Sequence, residues 1–403
     1  MAGRAATYLM RPHRRFRESD RLGINRRELK TRLMRIRASR PARVVIALVL
    51  ASISAGAASS WSFGRALTQS ARAAAAPQVG FSFSPLRAES YGDQPTVALE
   101  SLLTALSPDI VRLPVFWKDV QPQPGGFDYS DLDQLLDVVA RHNAQDPARP
   151  TRVVLVVGAR NIGFPEVFLP DWLPASERDP VAKAVADPAY GAYVRRTVQR
   201  YAHNRLLQAW QVENEALDNV LTPAGVAVNI PAEDLQEDVA LIHQLDPAHP
   251  AVITTYNNST LSLDIDQMSA PRARKVDESG ATPVGHPQPT LHLADILGID
   301  AYVAIGSTSL ADASVARRVA WKATTLQYWA DEARLVGKPM WITEMQGEVW
   351  PDKTNFTPAD LVNSAHEYRN VGAAVVLLWG AEGWLHSSDW MQAGIQAREV
   401  LGS

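Results

Sequence analysis

Short apolar segments alternate with longer segments of helical periodicity from residue 79 to the end of the chain. The apolar segments lie at residues 79–83, 110–116, 152–158, 208–213, 251–256, 296–303, 340–343 and 373–379. Most are apolar at consecutive positions, which is typical of parallel strands that helices cover on both faces. Helical periodicity is clearest at residues 132–142, 189–203, 232–245, 309–336 and 358–370. This order predicts an α/β domain, a single (β/α)8 TIM barrel over residues 79–403.

A doubly wound parallel sheet is the alternative architecture for the same order of elements. No glycine-rich nucleotide-binding loop follows any predicted strand, so the commonest use of that architecture is not indicated. Two long loop-like stretches, residues 159–188 and 257–293, are predicted to build walls at the strand ends. The second is an insertion with a basic patch, Arg272, Arg274 and Lys275.

The chain before residue 79 has a different pattern, with an uncharged segment at residues 44–63. Its length can span a bilayer, but only residues 44–53 are strongly apolar, which is the size of a signal-peptide core. We expect either an uncleaved signal anchor or a signal cleaved near Ala57 or within residues 71–76, and both export the remainder. A buried core helix is a third interpretation. Residues 64–78 are predicted to be a linker.

Charge divides the chain at the same place. Residues 1–43 carry 14 basic and 3 acidic side chains, net +11, and the remainder carries 26 basic and 40 acidic ones, net −14. The basic tail is therefore expected in the cytoplasm, with residues 44–63 at the membrane. It lacks the interleaved aromatic residues of a nucleic-acid-binding arm, so we predict no nucleic-acid partner. The sequence predicts no oligomeric state.

Several chemistries are excluded by composition and motifs. The chain has no cysteine, which excludes disulfides, thiol catalysis and cysteine-ligated metals. It has no His-Glu-x-x-His pattern, no calcium-binding loop spacing and no Gly-x-Ser-x-Gly elbow. We therefore predict no cofactor and no metal.

Acidic residues follow two predicted strands directly. Glu213, Asn214 and Glu215 follow the fourth strand, and Glu344 follows the seventh. Each acid taken singly could cap the next helix. In a TIM barrel, however, the reactive groups sit where strands end, and two carboxylates across the mouth can divide glycoside cleavage between them. A retaining enzyme needs its two carboxyl groups about 5 to 5.5 Å apart.

Further residues at strand ends complete a family pattern. Residues 111–114 read Val-Arg-Leu-Pro with Trp117 beyond them, Asp300-Ala301-Tyr302 ends the sixth strand, and Trp379 ends the eighth. Together with Asn214-Glu215 and Glu344, this set resembles the clan A retaining glycoside hydrolases over roughly residues 79–400. Many family 5 members carry a histidine where this chain has Asp300, which is closer to family 39-like or 42-like sequences.

The resemblance implies a role for each matching residue. Glu215 would be the general acid/base and Glu344 the nucleophile. Asn214 would bind the hydroxyl beside the reacting carbon, and Arg112 and Tyr302 would orient Glu344. Trp379 would be the floor under the sugar, and Trp117 a further substrate contact. A shift of strand register would put a neighbouring acid in place of one of the two glutamates, the candidates being Glu213, Glu348 and Glu382.

These residues predict an exported retaining glycosidase that acts on a β-linked poly- or oligosaccharide. The acidic body favours neutral or cationic glycans, although the basic patch of the insertion leaves anionic ones open. The alternative is a catalytically silent, membrane-tethered barrel that binds polysaccharide and assists its assembly or export. Transglycosylation by the same two carboxylates is equally compatible with the sequence.

Overall fold

The computed structural model describes residues 76–163, 166–174, 181–218, 220–221, 227–256, 285–303, 314–349 and 356–403. The predicted basic tail and apolar segment lie outside the described residues, as do residues 64–75 of the predicted linker and residues 257–284 of the insertion with its basic patch. Within the described ranges, none of the helices combines the length and the apolar character that crossing a bilayer requires.

Eight parallel strands close into a barrel in which the first strand pairs with both the second and the last. They are β1 Gln78–Ser82, β2 Ile110–Phe116, β3 Arg152–Gly158, β4 Leu207–Val212, β7 Ala251–Tyr256, β8 Ile296–Ala301, β9 Met340–Gln346 and β10 Val375–Trp379. A two-stranded antiparallel ribbon, β5 Val220–Leu221 and β6 Ala227–Val228, follows β4. Closure confirms the TIM barrel and shows that the doubly wound alternative is wrong.

Helices follow the strands and cover the barrel. They are α1 Pro85–Ser90, α2 Pro95–Leu106, α3 Trp117–Val120, α4 Ser130–Gln145, α5 Val181–Val185, α6 Pro188–Tyr201, α7 Ala232–Leu245, α8 Pro287–Leu293, α9 Val315–Leu335, α10 Pro358–Tyr368 and α11 Ser388–Leu401. A 3-10 helix at Ala381–His386 precedes the last of them. Short helices such as α3 and α5 lack enough turns for a period to emerge from the sequence, so the pattern did not predict them.

The strands are apolar at consecutive positions because their two faces pack into different clusters. On β3, Val153 and Leu155 join the large cluster between barrel and helices, whereas Val154 joins a small cluster inside the barrel. The inner cluster also contains Ala209 and Trp341. Two residues further along each strand, the side chains that point into the barrel are polar. Arg112, Gln211 and Thr254 are fully buried there. The apolar layer thus closes one end of the barrel, and the polar layer lies toward the strand ends.

Candidate active site

Strand β9 carries an irregularity at the predicted nucleophile. Ile299 pairs with Ile342, but the next residue, Asp300, pairs with Glu344, so Thr343 is an extra residue on β9. Such a bulge re-aims the residues around it. The Thr343 hydroxyl donates to Asp300 Oδ1 at 2.7 Å and Glu344 contacts Arg112, while Met345 belongs to the outer core. The bulge therefore directs two successive residues, Thr343 and Glu344, toward the barrel interior.

Glu344 is held by the two residues that the sequence assigned to it. Arg112 Nη2 donates to Glu344 Oε1 at 2.6 Å, and the Tyr302 hydroxyl donates to Oε2. Arg112 is fully buried and also donates to Ser82 Oγ and Gln211 Oε1, each at 2.9 Å. With its guanidinium fixed at three points, Arg112 supplies a preorganised positive charge beside the Glu344 carboxylate.

Glu215 lies in the turn that follows β4, in a different environment. Its backbone is left-handed, with φ 45°, and its N–H donates to Thr254 Oγ1 at 2.9 Å. No described residue donates a hydrogen bond to its carboxyl group. Burial is the first cause that raises the pKa of Glu215 well above its ordinary value, followed by the charges of neighbouring carboxylates, namely Glu166, Asp300, Asp218 and Glu344. Glu215 and Glu344 therefore share one electrostatic environment at the barrel mouth.

Asn214, the residue before Glu215, is fixed by its side-chain carbonyl oxygen. Gln211 Nε2 donates to Asn214 Oδ1 at 3.1 Å, and the Thr254 hydroxyl donates to the same atom at 3.4 Å. No described residue accepts a hydrogen bond from the Asn214 side-chain nitrogen. That N–H2 group is therefore a donor that a substrate hydroxyl can use.

Trp379 ends β10 beside a cluster of charged residues. Its indole N–H donates to Glu348 Oε1 at 3.1 Å, and the guanidinium carbons of Arg87 and Arg112 lie 5.6 and 6.0 Å from its ring centroid. It packs with Tyr302 in a small cluster of buried side chains that also contains Val156, Ile162 and Tyr256. Trp379 is 5% exposed and lies beside Arg112 and Tyr302, the two partners of Glu344.

Trp117 does not join the site. Its side chain is completely buried and its indole N–H donates to Gln121 Oε1 at 2.8 Å. Its ring stacks on Tyr193 and meets Trp172 and Tyr190 edge-on, all within the outer core. The prediction of a substrate contact at Trp117 is corrected accordingly, because the tryptophan follows β2 on α3 and packs against other aromatic residues instead of facing the mouth.

Three other acids, Glu213, Glu348 and Glu382, would replace one of the two glutamates if the strand register were shifted. Each of them is bound by other residues of the protein instead. Glu213 is fully buried, and its carboxylate accepts from the backbone N–H of Ala159 and Arg160 and from the Tyr190 hydroxyl. Burial raises the pKa of Glu213 to about 7, and those hydrogen bonds oppose the rise. Glu348 and Glu382 are both ion-paired with Arg87.

Several acidic and basic residues of the mouth escaped the sequence analysis. Arg160 and Glu166 follow β3, and Asp218 follows Glu215 in the turn after β4. Asp218 accepts from the Tyr256 N–H at 2.7 Å and lies 2.8 Å from His286 Nδ1. Their only sequence signal is a position shortly after a buried strand. Among the described residues, no group of three or more histidine, aspartate or glutamate side chains is arranged to hold a metal ion.

Comparison with known proteins gives the fold. No protein-family model and no curated protein matches the sequence. Solved structures do match: a GH5_18 protein from Streptomyces cattleya in complex with GlcNAc is 15% identical, covers 76% of this chain and 71% of its own, and has a TM-score of 0.53. A GH5_18 protein from Bifidobacterium longum subsp. infantis is 13% identical, with 81% and 79% covered and a TM-score of 0.53.

A β-galactosidase from the Antarctic haloarchaeon Halorubrum lacusprofundi is 14% identical with a TM-score of 0.53, covering 80% of this chain and 57% of its own. This chain thus spans little more than half of the galactosidase. At such identities the similarity is one of architecture, and function has to be argued from the site. The protein shares the TIM-barrel fold with these GH5_18 proteins and this β-galactosidase.

Proposed function

We propose that the protein is a retaining glycoside hydrolase in which Glu215 is the general acid/base and Glu344 the nucleophile. The observation that carries this proposal is the contrast between their environments in one mouth. Glu344 is ion-paired with Arg112, whereas the Glu215 carboxyl group accepts no hydrogen bond from the described residues, and its pKa is raised well above the ordinary value by burial and neighbouring carboxylates. Two carboxyl groups can take the roles of acid and nucleophile in one active site when their surroundings differ in this way.

The proposed reaction is a double displacement. A Glu344 oxygen attacks the anomeric carbon while Glu215 gives its proton to the departing glycosidic oxygen, so that the C–O bond breaks and a glycosyl ester forms. Water then attacks the same carbon, Glu215 takes its proton, and the Glu344 carboxylate is released. Arg112 and Tyr302 favour that release, because both hydrogen-bond Glu344 in its resting form.

The other mouth residues would bind the sugar. The Asn214 amide would donate to the hydroxyl next to the anomeric carbon, a contact that strengthens in the transition state of glycosidases. Trp379 would pack against the apolar face of the pyranose, beside the arginines that flank its ring. Among the described residues of the mouth, carboxyl groups outnumber guanidinium groups, which supports neutral or cationic glycans over strongly anionic ones.

A β-linked poly- or oligosaccharide is the proposed substrate class. One structurally similar GH5_18 protein from Streptomyces cattleya, 15% identical with a TM-score of 0.52, was solved in complex with Manb1-4GlcNAc. That disaccharide supports a β-linkage by analogy of fold. We also propose that the barrel works outside the cytoplasm, because a basic tail and an apolar segment precede it, either as a signal anchor or as a cleaved signal.

Activated aryl β-glycosides test the assignment in the full-length protein. Glu344→Gln should lower kcat/KM by at least about 1000-fold, as removal of a covalent nucleophile does. Glu215→Ala should slow substrates with poor leaving groups most, and azide should restore turnover with good leaving groups. Glu100→Gln, at an exposed position of α2, is the matched control.

Full activity of Glu344→Gln would contradict the nucleophile assignment. A wild-type protein that binds polysaccharide without turning over any aryl glycoside would instead favour the silent binding barrel. Product analysis with and without added sugar acceptors separates hydrolysis from transglycosylation.

A further inference from the structure

Arg160 connects the end of β3 with the turn that carries Glu215. Its side chain is completely buried. Nη1 donates to the main-chain oxygens of Glu215 at 2.5 Å and Asp218 at 2.7 Å, and Nη2 donates to Glu166 Oε2 at 2.7 Å. One planar guanidinium therefore holds the backbone of the proposed acid/base and a carboxylate from a different loop at the same time.

The backbone of Arg160 is held in return by the turn after β4. Glu213 Oε2 accepts from the Arg160 N–H at 2.6 Å, and Oε1 accepts from the Ala159 N–H at 2.9 Å. Gly158 provides the space, because a Cβ there would lie 2.5 Å from the Glu213 carboxyl carbon. The two turns are thus locked reciprocally, side chain to backbone in both directions.

These reciprocal hydrogen bonds of Arg160 and Glu213, called the lock below, hold two residues in an unfavourable backbone conformation. Glu213 and Glu215 have φ 58° and 45°, and neither is glycine. Left-handed conformations are unfavourable for such residues and persist only where the surroundings determine them. The hydrogen bonds from Arg160 and to Glu213 hold this turn together with the bond from the Glu215 N–H to Thr254, so the orientation of Glu215 depends on them.

Glu166 brings a negative charge to the same place. It also has a left-handed backbone, φ 68°, fixed by the Asn161 N–H, which donates to its main-chain oxygen at 2.8 Å. Burial raises the pKa of Glu166, and the ion pair with Arg160 opposes that rise. Its side chain is 21% exposed and paired with a guanidinium, which favours the ionised form.

We propose that Arg160 and Glu166 are positioning residues for Glu215: Arg160 fixes its main chain, and Glu166 keeps a negative charge beside its carboxyl group. This inference rests on the proposed function, in which Glu215 is the acid/base. The acidic groups that act on Glu215 come from four parts of the barrel mouth, namely Glu166 after β3, Asp218 after β4, Asp300 on β8 and Glu344 on β9, and the Arg160 guanidinium is the cation against its main chain. Glu166 shares the Arg160 guanidinium with the Glu215 main chain, so its removal is the most informative.

The sign of the effect follows from Coulomb repulsion. A negative Glu166 disfavours a second negative charge on Glu215 and so raises the pKa of Glu215. In Glu166→Gln, the amide oxygen can still accept from Arg160, but the charge is gone, so the pKa of Glu215 should fall. Glu215 then loses its proton at lower pH, and the basic limb of the kcat/KM profile should move to lower pH.

The experiment measures Glu215 in two ways in the full-length protein. The pH profile of kcat/KM on an aryl β-glycoside is recorded for wild type, Glu166→Gln and the exposed control Glu100→Gln. In parallel, the 13C-carboxyl resonance of Glu215, assigned by its loss in Glu215→Gln, is titrated in the same proteins. We expect both midpoints to fall in Glu166→Gln and neither to move in the control.

The outcomes separate the two hypotheses. If the wild type turns over no glycoside, the proposed function fails, but the carbon resonance still tests the effect of Glu166 on Glu215. If the wild type is active and the Glu215 midpoint is the same in Glu166→Gln, the role of Glu166 is overturned.

Arg160→Lys tests the other part of the proposal, in which Arg160 fixes the main chain of Glu215. A lysine ammonium lacks the planar fork that reaches the carbonyl oxygens and Glu166 together, so kcat should fall about 10- to 100-fold with little change in KM. Arg149→Lys, at an exposed turn, is the control, and urea midpoints verify that each variant is folded. Unchanged kcat in a folded Arg160→Lys would overturn the role of Arg160. If this variant does not fold, Gly158→Ala, whose Cβ would displace Glu213 and the Arg160 backbone, takes its place, and unchanged kcat there would overturn the role instead.

Discussion

Tyr190 has one hydroxyl proton and two carboxyl neighbours. Its oxygen lies 2.5 Å from Glu213 Oε1 and 3.0 Å from Asp238 Oδ2. A phenol donates only one hydrogen bond, so one of these acids must carry a proton and donate to the phenol oxygen. Burial raises the pKa of Glu213 to about 7 and that of Asp238 to about 8. Glu213 also accepts two backbone N–H groups and makes the shorter contact with Tyr190, as an ionised carboxylate does, so we assign the proton to Asp238 and let Tyr190 donate to Glu213.

This network predicts how stability depends on pH. Asp238 binds its proton in the folded state up to about pH 8, whereas an unfolded aspartate releases it near about pH 4. The free energy of unfolding contributed by Asp238 should therefore be complete below about pH 4 and be lost as the pH rises through 8. In Asp238→Asn, the side-chain N–H2 group can donate to the Tyr190 oxygen at any pH. Between pH 5 and 8 the free energy of unfolding of this variant, measured by urea denaturation, should therefore fall less than that of the wild type.

The exposed Asp137 of α4 provides the control, as Asp137→Asn should follow the wild type at both pH values. If Asp238→Asn loses as much stability over this interval as the wild type does, the assignment of the proton to Asp238 is wrong.

At the scale of elements, replacement of glycine by alanine should change the free energy of unfolding in opposite directions at Gly158 and Gly191. Gly158 ends β3, and a Cβ there would lie 2.5 Å from Glu213 Oε2 and 2.8 Å from the main-chain oxygen of Arg160. Gly158→Ala should lower the free energy of unfolding by about 1–3 kcal/mol, as overpacking does, and lower kcat by moving the lock around Glu215. Urea denaturation and aryl glycoside kinetics measure the two effects.

Gly191 is the matched control because it lies inside α6, where a Cβ would meet no atom within 4 Å. Gly191→Ala should raise the free energy of unfolding by about 0.5–1 kcal/mol through helix propensity and leave kcat unchanged. Equal stability changes in the two variants would show that the space around Gly158 is not what requires glycine there.

At the scale of the whole molecule, the contrast between a tail of net +11 and a remainder of net −14 predicts export of the barrel. An arginine in the apolar segment costs about 2.5–3.5 kcal/mol at insertion. Leu48→Arg should therefore abolish protease accessibility of the barrel in intact cells, whereas Leu48→Ile should preserve it. A barrel protected from protease in wild-type cells would contradict export, and the intact mass of exported protein separates an anchor from a cleaved signal.

The sequence alone determined the eight strands, their parallel order and the position of Asn214 and Glu215 after β4, because burial on both faces imposes apolar runs that are local in the chain. The prediction that Glu344 follows the seventh barrel strand is wrong, because β9 continues past the bulge to Gln346. Only the tertiary structure decided the rest. The bulge at Thr343, the burial of Trp117 and the lock between Arg160 and Glu213 all depend on contacts between strands and loops far apart in sequence. Such contacts leave no periodic pattern in the sequence. The residue type of an acid near a strand end is also the same whether its carboxylate faces a substrate or a backbone N–H.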